Sequence, residues 1–124
     1  MIEFEDPIEF RLKKSLNNVN VTYSNLIEIC QGGPAIGELY INGDLVKGYN
    51  FGGPCLIEGN FVCVPVFVSK LFKRGFKIAR IHASTLDISI IGERKDLIIL
   101  DKIENGKIYF FENINKTIYR NCSI

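Results

Sequence analysis

The chain has 124 residues, of which 47% are hydrophobic and 23% charged, and its formal net charge is +1. This composition excludes a disordered chain, the length suffices for one domain with its own core, and the net charge gives no global argument for a nucleic-acid or membrane partner. The longest apolar stretch, Phe61 to Val68, is far shorter than a membrane helix, and the acidic N-terminus does not resemble a secretory signal, so we expect a cytoplasmic protein.

The residue types favour strands over helices. The chain contains 19 Ile, 7 Val, 9 Phe and 5 Tyr, but only 3 Ala and 1 Gln. β-Branched and aromatic side chains fit the half-buried surface of a sheet, whereas helices favour Ala and Gln. We therefore predict a mainly β fold.

Residues 1–31 fit two patterns. Asp6 precedes a proline and stands three residues before Glu9, as at a helix start, and Ile8, Leu12 and Leu16 follow at helical spacing. The alternation from Ile8 through Phe10 would equally suit a strand. We favour a short helix here, followed by strands at 19–23 and 26–30.

From residue 32 onward, strand-length runs alternate with turns. Asn42-Gly43 is a strong hairpin signal, and Gly59-Asn60 predicts a second hairpin whose long strand, 61–68, contains Pro65. Because proline lacks an amide hydrogen, we expect this strand to lie at a sheet edge or to carry a bulge. Further strands are predicted at 38–41, 44–51, 55–58, 76–84, 85–91, 97–103 and 107–112.

The predicted architecture is one antiparallel domain spanning residues 1–124. It is a β-barrel or a sandwich or meander of about eight strands, with one or two short helices. Residues 1–31 form the ambiguous lead-in, 32–119 the hairpins and meander, and 120–124 a tail.

His82 is the only histidine and therefore the only candidate imidazole base. In a strand it would share a face with Arg80, and this pair could act on a phosphodiester. No nucleophile or second acid has a recognisable position, so we favour a structural histidine and predict no enzymatic activity.

The four cysteines form no C-x-x-C pair. Cys63 lies in an apolar strand and is predicted to be a core residue, whereas Cys122, near the end of the chain, is the one expected to be exposed. With a single histidine, neither a metal site nor a cofactor site is predicted.

Basic residues concentrate between Lys70 and Arg80, a stretch that contains five cations and no carboxylate. Ser69 and Gly75 could bound a short helical turn within it. We predict that this segment contacts a partner, and that an acidic N-terminal stretch forms a secondary surface. The candidate residues are Lys70, Phe72, Lys73, Arg74, Lys77 and Arg80, and, in the acidic stretch, Glu3, Glu5, Asp6 and Glu9.

A small β domain without a catalytic constellation is typical of a protein-binding module. We expect a bacterial immunity or antitoxin-type protein that occludes the active site of a cognate toxin, by analogy with its class. One alternative is a nucleic-acid-binding β domain that uses residues 70–80, where basic and aromatic side chains alternate. A second alternative is a metal-independent nuclease or hydrolase that depends on His82.

Overall fold

The computed structural model describes residues 5–70 and 73–124. These residues form twelve β-strands and no helix, so the mainly β prediction is confirmed and the predicted short helices are wrong. Within the same residues, no helix is long and apolar enough to cross a membrane. The strands are β1 Lys13–Leu16, β2 Val19–Glu28, β3 Ala35–Ile41, β4 Asp44–Leu45, β5 Asn50–Phe51, β6 Leu56–Glu58, β7 Phe61–Lys70, β8 Lys73–His82, β9 Ile88–Lys95, β10 Ile99–Glu104, β11 Lys107–Phe111 and β12 Tyr119–Ser123.

The strands form two antiparallel sheets. The larger sheet has the order β1-β2-β3-β5-β7-β8-β9, with β4 paired to β3 and β6 paired to β7. The smaller sheet has the order β10-β11-β12. Among the described residues, β1 and β9 do not pair with each other, so the larger sheet stays open and the predicted barrel is wrong.

The β7–β8 hairpin is buried on both faces along its middle. On one face, Val64 and Ala79 join the larger hydrophobic cluster, which fills the space against β2 and β3. On the other face, Cys63 and Ile78 pack against apolar residues of the three-stranded sheet, including Ile108. Fully burying a side chain the size of Val64 or Ile78 stabilises a fold by about 1.5–3 kcal/mol, so this hairpin anchors both clusters.

Residues 7–16 contain no helix. The Oδ1 atom of Asp6 accepts hydrogen bonds from the amides of Ile8 and Glu9, both at 2.8 Å, which closes a single turn. Phe10 is buried against Tyr23, at 4.8 Å between ring centroids, and the chain then pairs with β2 as β1. The β1–β2 turn places Asn17 and Asn18 at positive φ, a conformation that asparagine tolerates.

The Asn42-Gly43 hairpin is confirmed, because both residues have positive φ, 51° and 86°. The strand that follows is shorter than predicted. Only Asp44–Leu45 returns beside β3, and Asn50–Phe51 then forms β5, which pairs with β3 and β7.

The strand that contains Pro65 is an interior strand whose pairings show no bulge, so the prediction of an edge position or a bulge is wrong. The amide of Gly52 donates to the Pro65 carbonyl at 2.8 Å, so the proline nitrogen also faces the side of β5 and β6. On that side, β6 pairs with residues 61–63 and β5 with residues 66–67. The gap between these two short strands falls at Pro65, where no amide donor is needed.

Two other segments differ from their predicted structure. In place of a helical turn from Ser69 to Gly75, β7 continues to Lys70 and β8 begins at Lys73, while residues 71–72 lie outside the described part of the chain. The predicted tail contains most of β12, which pairs with β11 along its whole length.

Candidate functional site

The far end of the β7–β8 hairpin extends beyond its neighbours in the sheet. The last flanking pairs join Phe67 to β5 and Phe76 to β9. Three further cross-strand pairs follow, ending with Lys70 opposite Lys73. At about 3.4 Å per residue, these pairs carry the hairpin about 10 Å past the last flanking strand pairs. The first of them still has neighbours, because Gly75 packs against the Lys95 carbonyl and Val68 against the larger cluster. We call residues 68–70 and 73–75 the hairpin tip.

The strand register separates the predicted basic residues by face. Residues directly opposite each other in an antiparallel pair lie on one face, and alternate residues share it. Lys70, Lys73 and Lys77 therefore lie on one face, whereas Arg74 and Arg80 lie on the other, about 20 Å apart at ~3.4 Å per residue. Phe72, also predicted to contact a partner, is outside the described residues.

The three lysines form no ion pair with any described residue. Lys70 and Lys73 are exposed and Lys77 is half-buried. Their charges are therefore available to a partner. We call Lys70, Lys73 and Lys77 the lysine face.

Contacts with β9 hold the hairpin tip in place. The Nη1 atom of Arg94 donates to the Arg74 carbonyl at 3.0 Å and lies 3.1 Å from an oxygen of Asp96. Gly75 packs so closely against β9 that a Cβ atom there would lie 2.5 Å from the Lys95 carbonyl oxygen. The tip is thus braced on its β8 side.

Glu112 links the same end of β9 to the three-stranded sheet. Its carboxylate lies 2.8 Å from the Nε atom of Arg120 and 2.9 Å from the Nζ atom of Lys95. The hydrogen bond from Arg120, and next that from Lys95, lower the pKa of Glu112 below its usual value. The carboxylate is therefore stabilised in its charged form where the two sheets meet.

Two carboxylates of the predicted acidic stretch have internal partners. Glu5 lies 2.9 Å from the Nζ atom of Lys14 and accepts a hydrogen bond from the amide of Arg11. Asp6 closes the turn described above, so among the three candidates that the structure describes only Glu9 is exposed. Glu3, the remaining candidate, lies outside the described residues.

Arg80 and His82 both contact the ring of Phe61. The guanidinium carbon of Arg80 lies 3.5 Å from the ring centroid, and the imidazole of His82 meets the ring edge-on at 5.1 Å between centroids. The Nδ1 atom of His82 accepts hydrogen bonds from the amides of Ser84, at 3.2 Å, and Thr85, at 3.4 Å. The imidazole thus supports the turn between β8 and β9.

The outer face of the three-stranded sheet carries three aromatic side chains in contact. Tyr119 is 44% exposed and stacks near Tyr109 at 5.7 Å and near Phe111 at 4.6 Å. Lys102 lies 5.3 Å from the Tyr109 ring and Lys116 lies 5.9 Å from the Phe111 ring. In the sequence, the alternation of Tyr109 and Phe111 within a predicted strand is the signal that indicates this surface.

The cysteines differ in exposure from the prediction. Cys30 is exposed and Cys122 is half-buried, so the expectation that only Cys122 would be accessible is wrong. Cys63 is a core residue as predicted, and burial raises its pKa to about 12 despite the opposing effect of Arg80. In the part of the chain that the structure describes, no three His, Cys, Asp or Glu side chains are grouped to hold a metal ion.

Comparison of the chain with protein-family models, with curated proteins and with solved structures finds no match.

Proposed function

We propose that the protein is a binding module that presents the lysine face of its β7–β8 hairpin to an acidic cleft of a partner protein. The observation that carries this proposal is that three lysines without an ionic partner among the described residues share one face of the hairpin, two of them at its braced tip. A two-stranded projection is narrow enough to enter a cleft. A group of cations on its surface also accelerates association with an acidic site.

The partner that best fits this geometry is a bacterial toxin enzyme whose active site contains carboxylates. The protein would then act as an immunity or antitoxin-type inhibitor in the cytoplasm, and it would block substrate access without a reaction of its own. The charge and shape of the tip support an acidic cleft as the binding site. The step from an acidic cleft to a toxin enzyme is made by analogy.

Capture from the native host tests the proposal. The tagged protein is recovered at about 300 mM salt after nuclease treatment, which weakens phosphate-driven binding. The test variant carries Lys70→Glu, Lys73→Glu and Lys77→Glu. The control variant has the same net charge through Lys13→Glu, Lys47→Glu and Lys107→Glu, at exposed lysines that also have no ion pair with a described residue.

We expect the native protein and the control variant to recover the same partner in near-equal amounts, and the test variant to lose it. Adding the native protein should also inhibit the enzymatic activity of that partner. A native protein recovered alone, or equal recovery by all three forms, would contradict the proposal.

Single-stranded nucleic acid is a second candidate ligand, favoured by the aromatic surface of the three-stranded sheet. Bases stack on exposed rings while nearby cations follow the backbone. Tyr119 is exposed, and the two rings beside it have Lys116 and Lys102 nearby, of which Lys102 is ion-paired to Glu104. This candidate predicts oligonucleotide binding that weakens steeply with salt and is lost in Tyr119→Ala. Binding that the lysine-face variant abolishes and Tyr119→Ala leaves intact would instead assign the nucleic acid to the hairpin.

A further inference from the structure

A second group of donors lies at the opposite end of the β7–β8 hairpin from the tip. On the face covered by the three-stranded sheet, Ile78 is buried, but two residues further along Arg80 is half-buried, as is His82. Ser89 lies opposite Arg80 in the β8–β9 pairing, so its exposed side chain is on the same face. We call Arg80, His82 and Ser89 the donor ledge.

Arg80 is held in position by an aromatic ring and forms no ion pair with a described residue. The stacking distance of 3.5 Å fixes the guanidinium over the Phe61 ring, an arrangement that orients the group before any ligand arrives. Within residues 5–70 and 73–124, the guanidinium makes no hydrogen bond or ion pair. Its donors are therefore available.

His82 supplies a second donor of fixed direction. Because its Nδ1 atom accepts from the two turn amides, the neutral ring carries its hydrogen on Nε2, on the side away from the turn. The hydroxyl of Ser89 makes no hydrogen bond to the described residues and adds a third donor. Three different donor types thus lie on the same face of one short stretch of sheet.

We propose that the donor ledge binds the phosphate group of a small phosphate monoester. Adjacent residues on one face of a strand are about 6.5–7 Å apart, a separation that one phosphate can span between the side chains of Arg80 and His82. A phosphate monoester presents three terminal oxygens in different directions, which suits one donor each from three non-coplanar groups. A carboxylate presents only two oxygens in one plane, which the arginine fork alone would occupy.

Glu58 opposes this binding and provides a control of opposite sign. It lies across from Phe61 on the same face, is exposed and forms no ion pair within the described part of the chain. Its negative charge repels a phosphate at the ledge. Glu58→Gln should therefore tighten phosphate binding, whereas loss of a donor should weaken it.

The single histidine makes the site directly observable by NMR. Inorganic phosphate is titrated into the full chain at constant pH, with sodium chloride replaced to hold the ionic strength, and the imidazole Cε1–H signal of His82 is followed. We expect a saturable shift in the native protein. Arg80→Lys keeps the positive charge but removes the planar guanidinium that stacks on Phe61. It should weaken phosphate binding about tenfold or more.

A variant at His82 separates ligand binding from the turn. In His82→Asn the side-chain oxygen can still accept from the turn amides, while the Nε2–H donor is removed. We expect an unchanged melting temperature and a several-fold weaker affinity, measured from the backbone amide signals of Arg80 and Ser89. If His82→Asn unfolds the protein, Ser89→Ala serves as the donor-loss variant with the same expected direction.

The absence of a saturable shift in the native protein, or equal affinity in native and Arg80→Lys proteins, would overturn the proposal. Acetate binding as tightly as phosphate would overturn the assignment to phosphate. The lysine-face variant should bind phosphate like the native protein. The proposal for the donor ledge and the proposal for the lysine face can therefore be refuted separately.

Discussion

The two ends of the β7–β8 hairpin use similar charged residues in different ways. At the tip, Lys70 and Lys73 extend into solvent from a short, braced projection with no ionic partner among the described residues. At the opposite end, Arg80 is fixed against an aromatic ring beside His82. The tip suits long-range attraction of a large acidic surface, whereas the ledge suits close contact with one small anion. A single basic run in the sequence therefore contains two separate surfaces.

The largest effect is expected from Phe76→Ala, which removes the support shared by both ends. Phe76 is 2% exposed and lies between the tip and the ledge, in the cluster that joins the two sheets. Loss of a buried phenylalanine costs about 3–5 kcal/mol of unfolding free energy. Urea denaturation would measure this loss, and Phe67→Ala, at a partly buried ring 5.7 Å away, should cost less. Equal losses in the two variants would contradict this view of the core.

Gly75→Ala should disturb the tip and leave the ledge intact. The added Cβ atom would lie 2.5 Å from the Lys95 carbonyl oxygen, so β8 and β9 must separate locally. Forcing extra volume into such a contact costs about 1–3 kcal/mol, again measured by denaturation. Amide NMR signals should change near Arg94 and remain unchanged at His82; changes of equal size at both ends would show that the ends are not independent.

Arg94→Ala is the matched variant without added volume. It removes the hydrogen bond to the Arg74 carbonyl, and should raise amide exchange in the tip with a smaller loss of stability than Gly75→Ala.

Glu112→Gln should have a small, pH-dependent effect. The pKa of Glu112 is lowered in the folded protein, so the charged carboxylate stabilises the fold above the pKa it has when unfolded, and this stabilisation disappears as pH falls through the lower folded value. For such a solvent-accessible pair we expect about 1 kcal/mol or less at pH 7. Melting curves of the native and Gln proteins should differ at pH 7 and converge as the pH falls through the lowered folded pKa of Glu112. A difference that grows on acidification would contradict the assigned sign.

Local sequence signals predicted the hairpin turns and the presence of the long apolar strand, although not its interior position. Asn42-Gly43 tolerates positive φ at both positions, and the alternating valines from Val62 to Val66 match one buried face of β7. The helix predicted near Asp6 failed because its capping signal is equally compatible with one isolated turn. Pairing of the following residues with β2 then determines the structure, and such pairing depends on distant residues.

The candidate surfaces required the register between strands. Period-two alternation predicted that Arg80 and His82 share a face, but not that Phe61 lies beneath them, since this depends on pairing Phe61 with His82. The same register assigns Lys77 and Arg74 to opposite faces, which a run of basic letters does not indicate. Ser89 joins the ledge through the β8–β9 pairing.

The most direct test of the central claim is the association rate with the captured partner. Stopped-flow or surface-binding measurements would compare the native protein, the lysine-face variant and the charge-matched control in the same buffer. We expect the lysine-face variant to associate at least tenfold more slowly at low salt, with the control within about twofold of the native protein. Equal slowing of both variants would mean that only net charge matters, and would contradict a specific role for the hairpin tip.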